Sequence, residues 1–251
     1  MYNFFVEKSQ KNGMGYTIIG PDYNHIKNVL RMAAGDTVIV SCAGKSDLCE
    51  ITGFDNQEVV LKILEADYLN SELPVEIILF QGLPKSDKME LIIQKTAELG
   101  VSKIVPVEMK HCVVKLDEKK KNSKVVRWQS ISESAAKQSK RNIIPEIGNV
   151  MSFSEMLKLA QELDLFIVPF ENENGMSATK DALSKIKAGM RVGILIGPEG
   201  GFDSKEIEKA VQSGGITVSL GKRILRTETA ALTTVSLIML HCEMNLGGEG
   251  L

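Results

Sequence analysis

"ILIGPEGGFDSKEIEKAVQSGG", residues 194–215, holds a strand, a turn and a helix within 22 residues. The apolar run "RVGILIG" (191–197) ends in a glycine-rich bend, and Asp203 is placed to cap a helix, with Glu206 three residues on as an acidic capping box. Gly214 follows the last helical turn. In the bend, Pro198 pre-sets the turn, while Gly200 and Gly201 allow positive φ and a close backbone approach. A loop that follows a parallel strand lies at the carboxyl edge of the sheet, where open α/β folds bind ligands. The stretch has no lysine in the register of a P-loop and no G-x-G-x-x-G dinucleotide fingerprint. Glu199 beside the glycine amides would repel a diphosphate and would suit hydroxyl donors or a cation. On pattern alone, a ligand loop and a plain tight turn both stay open.

Outward from this stretch, everything after Pro74 alternates in type. Strand-like runs occur at "VEIILFQ" (75–81), "KIVPVEM", "IIPEI", "LDLFIVPF", "RVGILIG" and "ITVSL" (216–220). Between them lie helical segments such as "SDKMELIIQKTAELG". Its Met89, Ile92, Ile93, Thr96 and Leu99 recur near a 3.6-residue period, and Gly100 stands as the stop. Such alternation predicts an α/β domain built on a parallel sheet covered on both faces. The first seventy residues read differently. "NFFVE", "GYTII", "DTVIVSC", "DLCEITGF" and "EVVLKIL" are short β-type runs, with one helical stretch, "PDYNHIKNVLRM", among them. These predict a small β-barrel or sandwich over 1–70. The connector "ADYLNSELP" then leads to a second domain over 74–251.

Composition narrows the class. Hydrophobic residues make up 43% and charged residues 25% of 251, as in ordinary globular proteins. No apolar run reaches 18 residues, and "MYNFFVEKSQ" lacks the basic start and apolar stretch of a signal peptide, which points to a cytoplasmic protein with no membrane partner. Four cysteines lie far apart without a C-x-x-C pair, so neither a disulfide framework nor a zinc ribbon is expected. In His111-Cys112 and His241-Cys242, neighbouring side chains diverge, and no metal site is expected from them. Net charge is −2, but its distribution is uneven. Residues 1–70 hold six Lys/Arg against nine Asp/Glu, whereas 110–141 hold ten against three. A polyanion should meet the second segment first.

A second loop repeats the logic of the first. In "SLGKRILRTETAAL" (219–232) a strand ends at Leu220, Gly221 turns the chain, and Thr227 is placed to cap a helix whose first turn carries Glu228. The helix "TAALTTVSLIMLHC" is apolar nearly all round, so something besides the sheet must cover it. A subunit partner and a buried core position are both open.

Together, "LIGPEGGF" (195–202) and "LGKRILRTETAAL" (220–232) resemble the RsmE family of SPOUT methyltransferases, which methylate N3 of a uridine in small-subunit ribosomal RNA. "HIKNVLRMAAGD" (25–36), "LPKSDKMELIIQKTAELGV" (83–101) and "AAKQSKRNIIPEI" (135–147) extend the resemblance over nearly the whole chain. The resemblance implies a PUA-like β-barrel that helps hold RNA, then a SPOUT-type α/β domain ending in a deep trefoil knot. It further implies S-adenosyl-L-methionine bent in the knot and a homodimer whose two subunits complete each site. Carried onto this sequence, the cofactor residues are Ile196, Gly197, Glu199, Gly200, Leu220, Gly221, Arg223, Ile224, Leu225 and Thr229, with Pro169 and Phe170 at the edge. The RNA-binding set is His25, Arg31, Lys85, Gln138, Lys140, Arg141 and Arg223, with Lys119–Lys121 as positioning charges. Two positions depart from the family pattern: Asn3 where arginine is common, and Lys140 where glycine is usual.

The chemistry sets the catalytic candidates. An imide nitrogen attacks a sulfonium methyl only once its proton has left, so either a base or nearby positive charge is needed. Arg226 is the first choice, with Arg141 and Arg223 next, because a guanidinium stays charged and grips carbonyl oxygen or phosphate. Glu228 is placed to orient an arginine or accept the proton. Two alternatives remain at this point: the same scaffold acting on another RNA, and a non-catalytic RNA-binding or ribosome assembly factor.

Overall fold

The computed structural model describes residues 1–171, 173 and 175–247. The chain divides into two compact units, Met1–Glu72 with Ala136–Ile144, and Leu73–Ala135 with Pro145–Leu251. The sequence reading placed 136–144 in the second domain; in the structure these residues pack into the first. The final residues of that predicted domain, 248–251, lie outside the described ones.

The first unit is one six-stranded sheet curled around an apolar core. Its strands are β1 (Asn3–Val6), β2 (Lys11–Asn12), β3 (Gly15–Ile18), β4 (Thr37–Cys42), β5 (Lys45–Asp55) and β6 (Glu58–Leu69), in the order β1-β4-β5-β6-β3-β2. Only β1 and β4 run parallel. Register shifts along β5 and β6 are bulges, which bend and twist long strands. Inward residues Phe4, Tyr16, Ile18, Val38, Val40, Cys49, Ile51, Val59 and Leu61 close the core. "ADYL", read as connector, is the end of β6. The predicted helix "PDYNHIKNVLRM" is only α1 (Pro21–Asn24), running into a wide π-type turn at His25–Val29.

In the second unit every strand pair is parallel, as the alternating pattern requires. β7 (Glu76–Gly82), β8 (Lys103–Glu108), β9 (Glu146–Ile147), β10 (Met151–Ser152), β11 (Leu165–Pro169), β12 (Arg191–Ile196) and β13 (Gly215–Val218) form the order β10-β8-β7-β12-β11-β13, with β9 also on β8. The helices are α2 (Lys88–Glu98), α3 (Glu118–Ser139, whose residues from 136 on belong to the first unit), α4 (Phe153–Ala160), α5 (Ser177–Ser184), α6 (Ser204–Gln212) and α7 (Thr227–Asn245). Alternation along the strands splits the core. Ile77, Leu79, Ile104, Ile167 and Ile194 meet Ile92, Trp128, Ala182, Val235 and Ile238 of α2, α3, α5 and α7 on one face. Ile78, Phe80, Val105, Phe166 and Leu195 meet Phe153, Met156 and Ala210 of α4 and α6 on the other. Each large side chain so buried contributes roughly 1.5–3 kcal/mol relative to exposure. Among the described residues no helix is long and apolar enough to cross a membrane.

Candidate active site

Register places the ends of four strands side by side. Ile196 of β12 pairs with Gln81 of β7, Ile194 pairs with Ile167 of β11, and Pro169 of β11 pairs with Val218 of β13. The loops leaving β12 and β13 therefore emerge at one carboxyl edge. They enclose a cavity of about 580 Å³, within the range of small-ligand sites. Ile196 to Phe202 supply one wall and Ser219 to Thr227 the other, with Pro169, Phe170 and Glu171 from the end of β11, Lys88 from α2 and Ala230 from α7.

Each loop is held by identifiable contacts. After β12, Asp203 caps α6 by accepting from the Lys205 amide at 3.1 Å, while Glu206 accepts from the Asp203 amide at 3.0 Å, the capping box read from the sequence. Glu206 also accepts from the Lys110 amide at 2.9 Å. Lys110 holds the Asp203 carboxyl below its ordinary range, outweighing the opposing effect of burial. His111 Nδ1 lies 3.1 Å from the Gly200 carbonyl oxygen, and a Cβ at position 200 would sit 2.9 Å from His111 Cβ. Glycine at 200 is thus required by close approach, whereas Gly201 takes the left-handed φ, 69°. In the second loop the turn is at Gly221, φ 107°, whose amide donates to Ser219 Oγ at 3.2 Å. Thr179 Oγ1 donates to the Ser219 carbonyl at 2.7 Å and fixes the exit of β13.

Thr227 joins the loops to the sheet. Its buried hydroxyl donates to the Gly197 carbonyl at 2.7 Å and accepts from Gln81 Nε2 at 2.9 Å. This corrects the expectation that Thr227 caps the last helix: Arg226 is the capping residue and Thr227 the first helical one, its side chain turned back to the first loop. Charge is organised by Lys88, whose ammonium lies 3.1 Å from Glu199 Oε1 and 3.2 Å from Glu228 Oε2. Burial alone would raise the Glu199 carboxyl, but its own amide, the Lys85 amide at 3.0 Å and Lys88 together hold it below the usual glutamate value.

Nine of the ten cofactor candidates line this cavity: Ile196, Gly197, Glu199, Gly200, Leu220, Gly221, Arg223, Ile224 and Leu225. Thr229 does not; it is exposed on α7, one residue past Glu228. Arg223 and Arg226 are exposed at the cavity, and among the described residues no ion pair engages either. Glu228 faces Lys88 rather than an arginine. Arg141 requires a larger correction. It is 2% exposed, and its Nε donates to both Glu72 oxygens at 3.0 Å while Nη2 also bonds that carboxylate. The same Glu72 accepts from the Asn142 amide at 2.7 Å. A guanidinium so committed ties 136–144 into the first unit and leaves no fork for RNA or a reacting base.

The remaining RNA candidates are exposed: His25, edge-on to Phe4; Arg31, with φ 54°; Lys85 before α2; Gln138; and Lys140. Lys137 pairs with Asp22 at 3.0 Å, so the end of α3 is tied to the α1 segment that carries His25. Lys140 has φ 57°, in the left-handed region that glycine adopts without strain. Asn3, the other departure, is buried and donates to the Arg141 carbonyl at 2.9 Å. Of Lys119–Lys121, Lys121 is committed to Glu108 and Glu118. The sequence reading missed Lys88, Gln81 and His111 as site residues. Lys88 had a legible signal, a cation in the first turn of a helix against the helix dipole.

A parallel sheet in which the strands on either side of β11 carry two glycine loops around one cavity defines an α/β domain with a carboxyl-edge ligand site. The comparisons give that class its content. The family "RNA methyltransferase domain" matches residues 71–239, and "RNA methyltransferase PUA domain" matches 18–64. Ribosomal RNA small subunit methyltransferase E of Bacillus subtilis (strain 168) is 37% identical, covering 99% of this chain and 100% of its own. The protein of the same name from Mesomycoplasma hyopneumoniae (strain 232) is 31% identical over 92% of this chain and 96% of its own. The crystal structure of ribosomal RNA small subunit methyltransferase E from Neisseria gonorrhoeae bound to S-adenosyl methionine superposes with a TM-score of 0.79 at 29% identity, covering 96% and 97% of the two chains. The chain belongs to the ribosomal RNA small subunit methyltransferase E (RsmE) family.

Proposed function

We propose that this chain transfers a methyl group from S-adenosyl-L-methionine to N3 of a uridine in 16S ribosomal RNA. The observation that carries the reading is the cavity between the two glycine loops. Its Ile196, Leu220, Leu225 and Phe170 offer apolar wall to an adenine, and Glu199 sets a carboxylate among the amides of the first loop, which disfavours a phosphate at that wall. The Neisseria relative, bound to S-adenosyl methionine, supports the same assignment. When bound, the cofactor supplies an electrophilic methyl on a sulfonium.

The chain's own residues do the rest. Backbone groups of 196–200 and 220–225 hold and orient the ligand, with Thr227 and Gln81 keeping the loops apposed. Arg226, exposed at the cavity, stabilises the uracil anion as its N3 proton leaves, and Arg223 grips a neighbouring phosphate or carbonyl. Glu228 is engaged by the Lys88 ammonium at 3.2 Å, and the released proton goes to solvent.

The same reading includes a homodimer acting in the cytoplasm, with His25, Arg31, Lys85, Gln138 and Lys140 on RNA. Exposed Leu240 (46%) and Met244 (74%) on α7, and Ile224 (85%) at the cavity, support a second copy as their cover. It also includes a trefoil knot, supported by the return of the chain from edge strand β13 to α7, which packs on central β7 and β12. The decisive assay is nucleoside mass spectrometry after incubation with small ribosomal subunits lacking the modification. Appearance of 3-methyluridine is expected; a methylated ribose, another base, or no product overturns the reading.

A further inference from the structure

Lys88 opens α2, where a cation opposes the positive end of the helix dipole. Something must outweigh that cost, and two carboxylates do. Glu199 comes from the first glycine loop and Glu228 from the first turn of α7, immediately after the second. The three side chains are 17–26% exposed, so their attraction is partly shielded from water. Among the described residues no well-directed hydrogen bond reaches Glu228 Oε2, and the ammonium is its compensation. The bond to Glu199, against the cost of burial and aided by Glu228, holds Lys88 above the usual lysine range. One cation between two anions leaves this three-residue cluster with a single excess negative charge, while Lys222, Arg223 and Arg226 bring positive charge to the second loop's side of the cavity.

We propose that Lys88 is a positioning residue of the cofactor pocket, latching the first glycine loop to the start of α7 through Glu199 and Glu228 and so holding the two walls of the pocket together. The inference rests on the cofactor reading above and adds to it the group that makes the pocket. Without Lys88 the two carboxylates face one another uncompensated, and the loops that carry them separate.

Calorimetric titration of the full chain with S-adenosylhomocysteine tests this on the parent, K88M, K88R and K88M/E199Q. K88M is expected to bind roughly tenfold or more weakly, with K88R recovering most of the loss. K88M/E199Q binds more tightly than K88M, because one of the repelling charges is gone. Parent-like binding by K88M overturns the latch, as does a double variant no tighter than K88M. A K88M chain that fails to fold while K88M/E199Q folds supports it; failure of both to fold assigns Lys88 to general packing and overturns it. A parent chain that does not bind at all removes the cofactor reading itself, whereas a binding parent with an indifferent K88M removes only the latch.

Discussion

Arg226 stands at the cavity as the residue before α7, with an exposed guanidinium that no described carboxylate engages. Arg226→Ala is therefore expected to lower kcat by roughly 10²–10³, the cost of one preorganised charge donor, while S-adenosylhomocysteine affinity stays close to the parent's. Equal losses in turnover and affinity would move Arg226 from the reaction to the pocket. Gly200 tests close approach. An added Cβ meets His111 Cβ at 2.9 Å and its carbonyl oxygen at 3.2 Å, so Gly200→Ala should destabilise the loop by about 1–3 kcal/mol and weaken cofactor binding, as read by thermal melts and calorimetry. Lys140→Gly works in the other direction: relief of a left-handed lysine should leave the melting temperature unchanged or raise it. At this scale the sequence was legible in the placement of Gly197, Gly200 and Leu220–Leu225, which line one cavity as the two glycine-led loops suggested. It misled at Arg141, because nothing local in "QSKR" announces that Glu72, 69 residues upstream, will bury and hold the guanidinium.

Among elements, α6 and α7 show what pattern can and cannot tell. α6 was legible to its cap, since Asp203 and Glu206 interact within four residues. α7 was legible as a helix, but the fate of its surface was not, because an all-round apolar pattern does not say which face meets a partner. Val235, Ile238 and Cys242 turn to the core, and Leu240 and Met244 to the outside. If a second copy covers that outer face, Leu240→Glu with Met244→Glu should convert a dimer into a monomer in sedimentation, with the circular dichroism of the fold retained. A variant that sediments as the parent does would place the dimer contact elsewhere.

For the whole molecule, the division into a β-rich first unit and a parallel α/β second unit was readable from the change in periodicity after Pro74. The excursion of 136–144 into the first unit was not, because it depends on contacts far apart in sequence. Charge behaves likewise. Of the ten basic residues in 110–141, Lys110, Lys120, Lys121, Arg127, Lys137 and Arg141 have carboxylate partners. RNA should then be met by others, such as Lys119 and Lys124. Replacing either by alanine should reduce the slope of log K against log salt by about 0.7–0.9, whereas Lys121→Ala should leave it unchanged.

Stability against pH follows from Glu199 and Lys88. The lowered Glu199 value contributes stability that is complete above the ordinary glutamate range and lost as pH falls through the folded value. The raised Lys88 value contributes stability that is complete below the ordinary lysine range and lost as pH rises through its folded value. The melting temperature should have an acid arm that Glu199→Gln flattens.

Crystals of the chain grown with S-adenosyl-L-methionine give the most direct measurement of all. Density for the ligand is expected between residues 196–202 and 219–227, with Lys88 still bridging Glu199 and Glu228. Density elsewhere on the molecule, or a cavity closed by protein side chains with the ligand in solution at saturating concentration, would contradict the assignment of this edge of the sheet as the methyl-donor site.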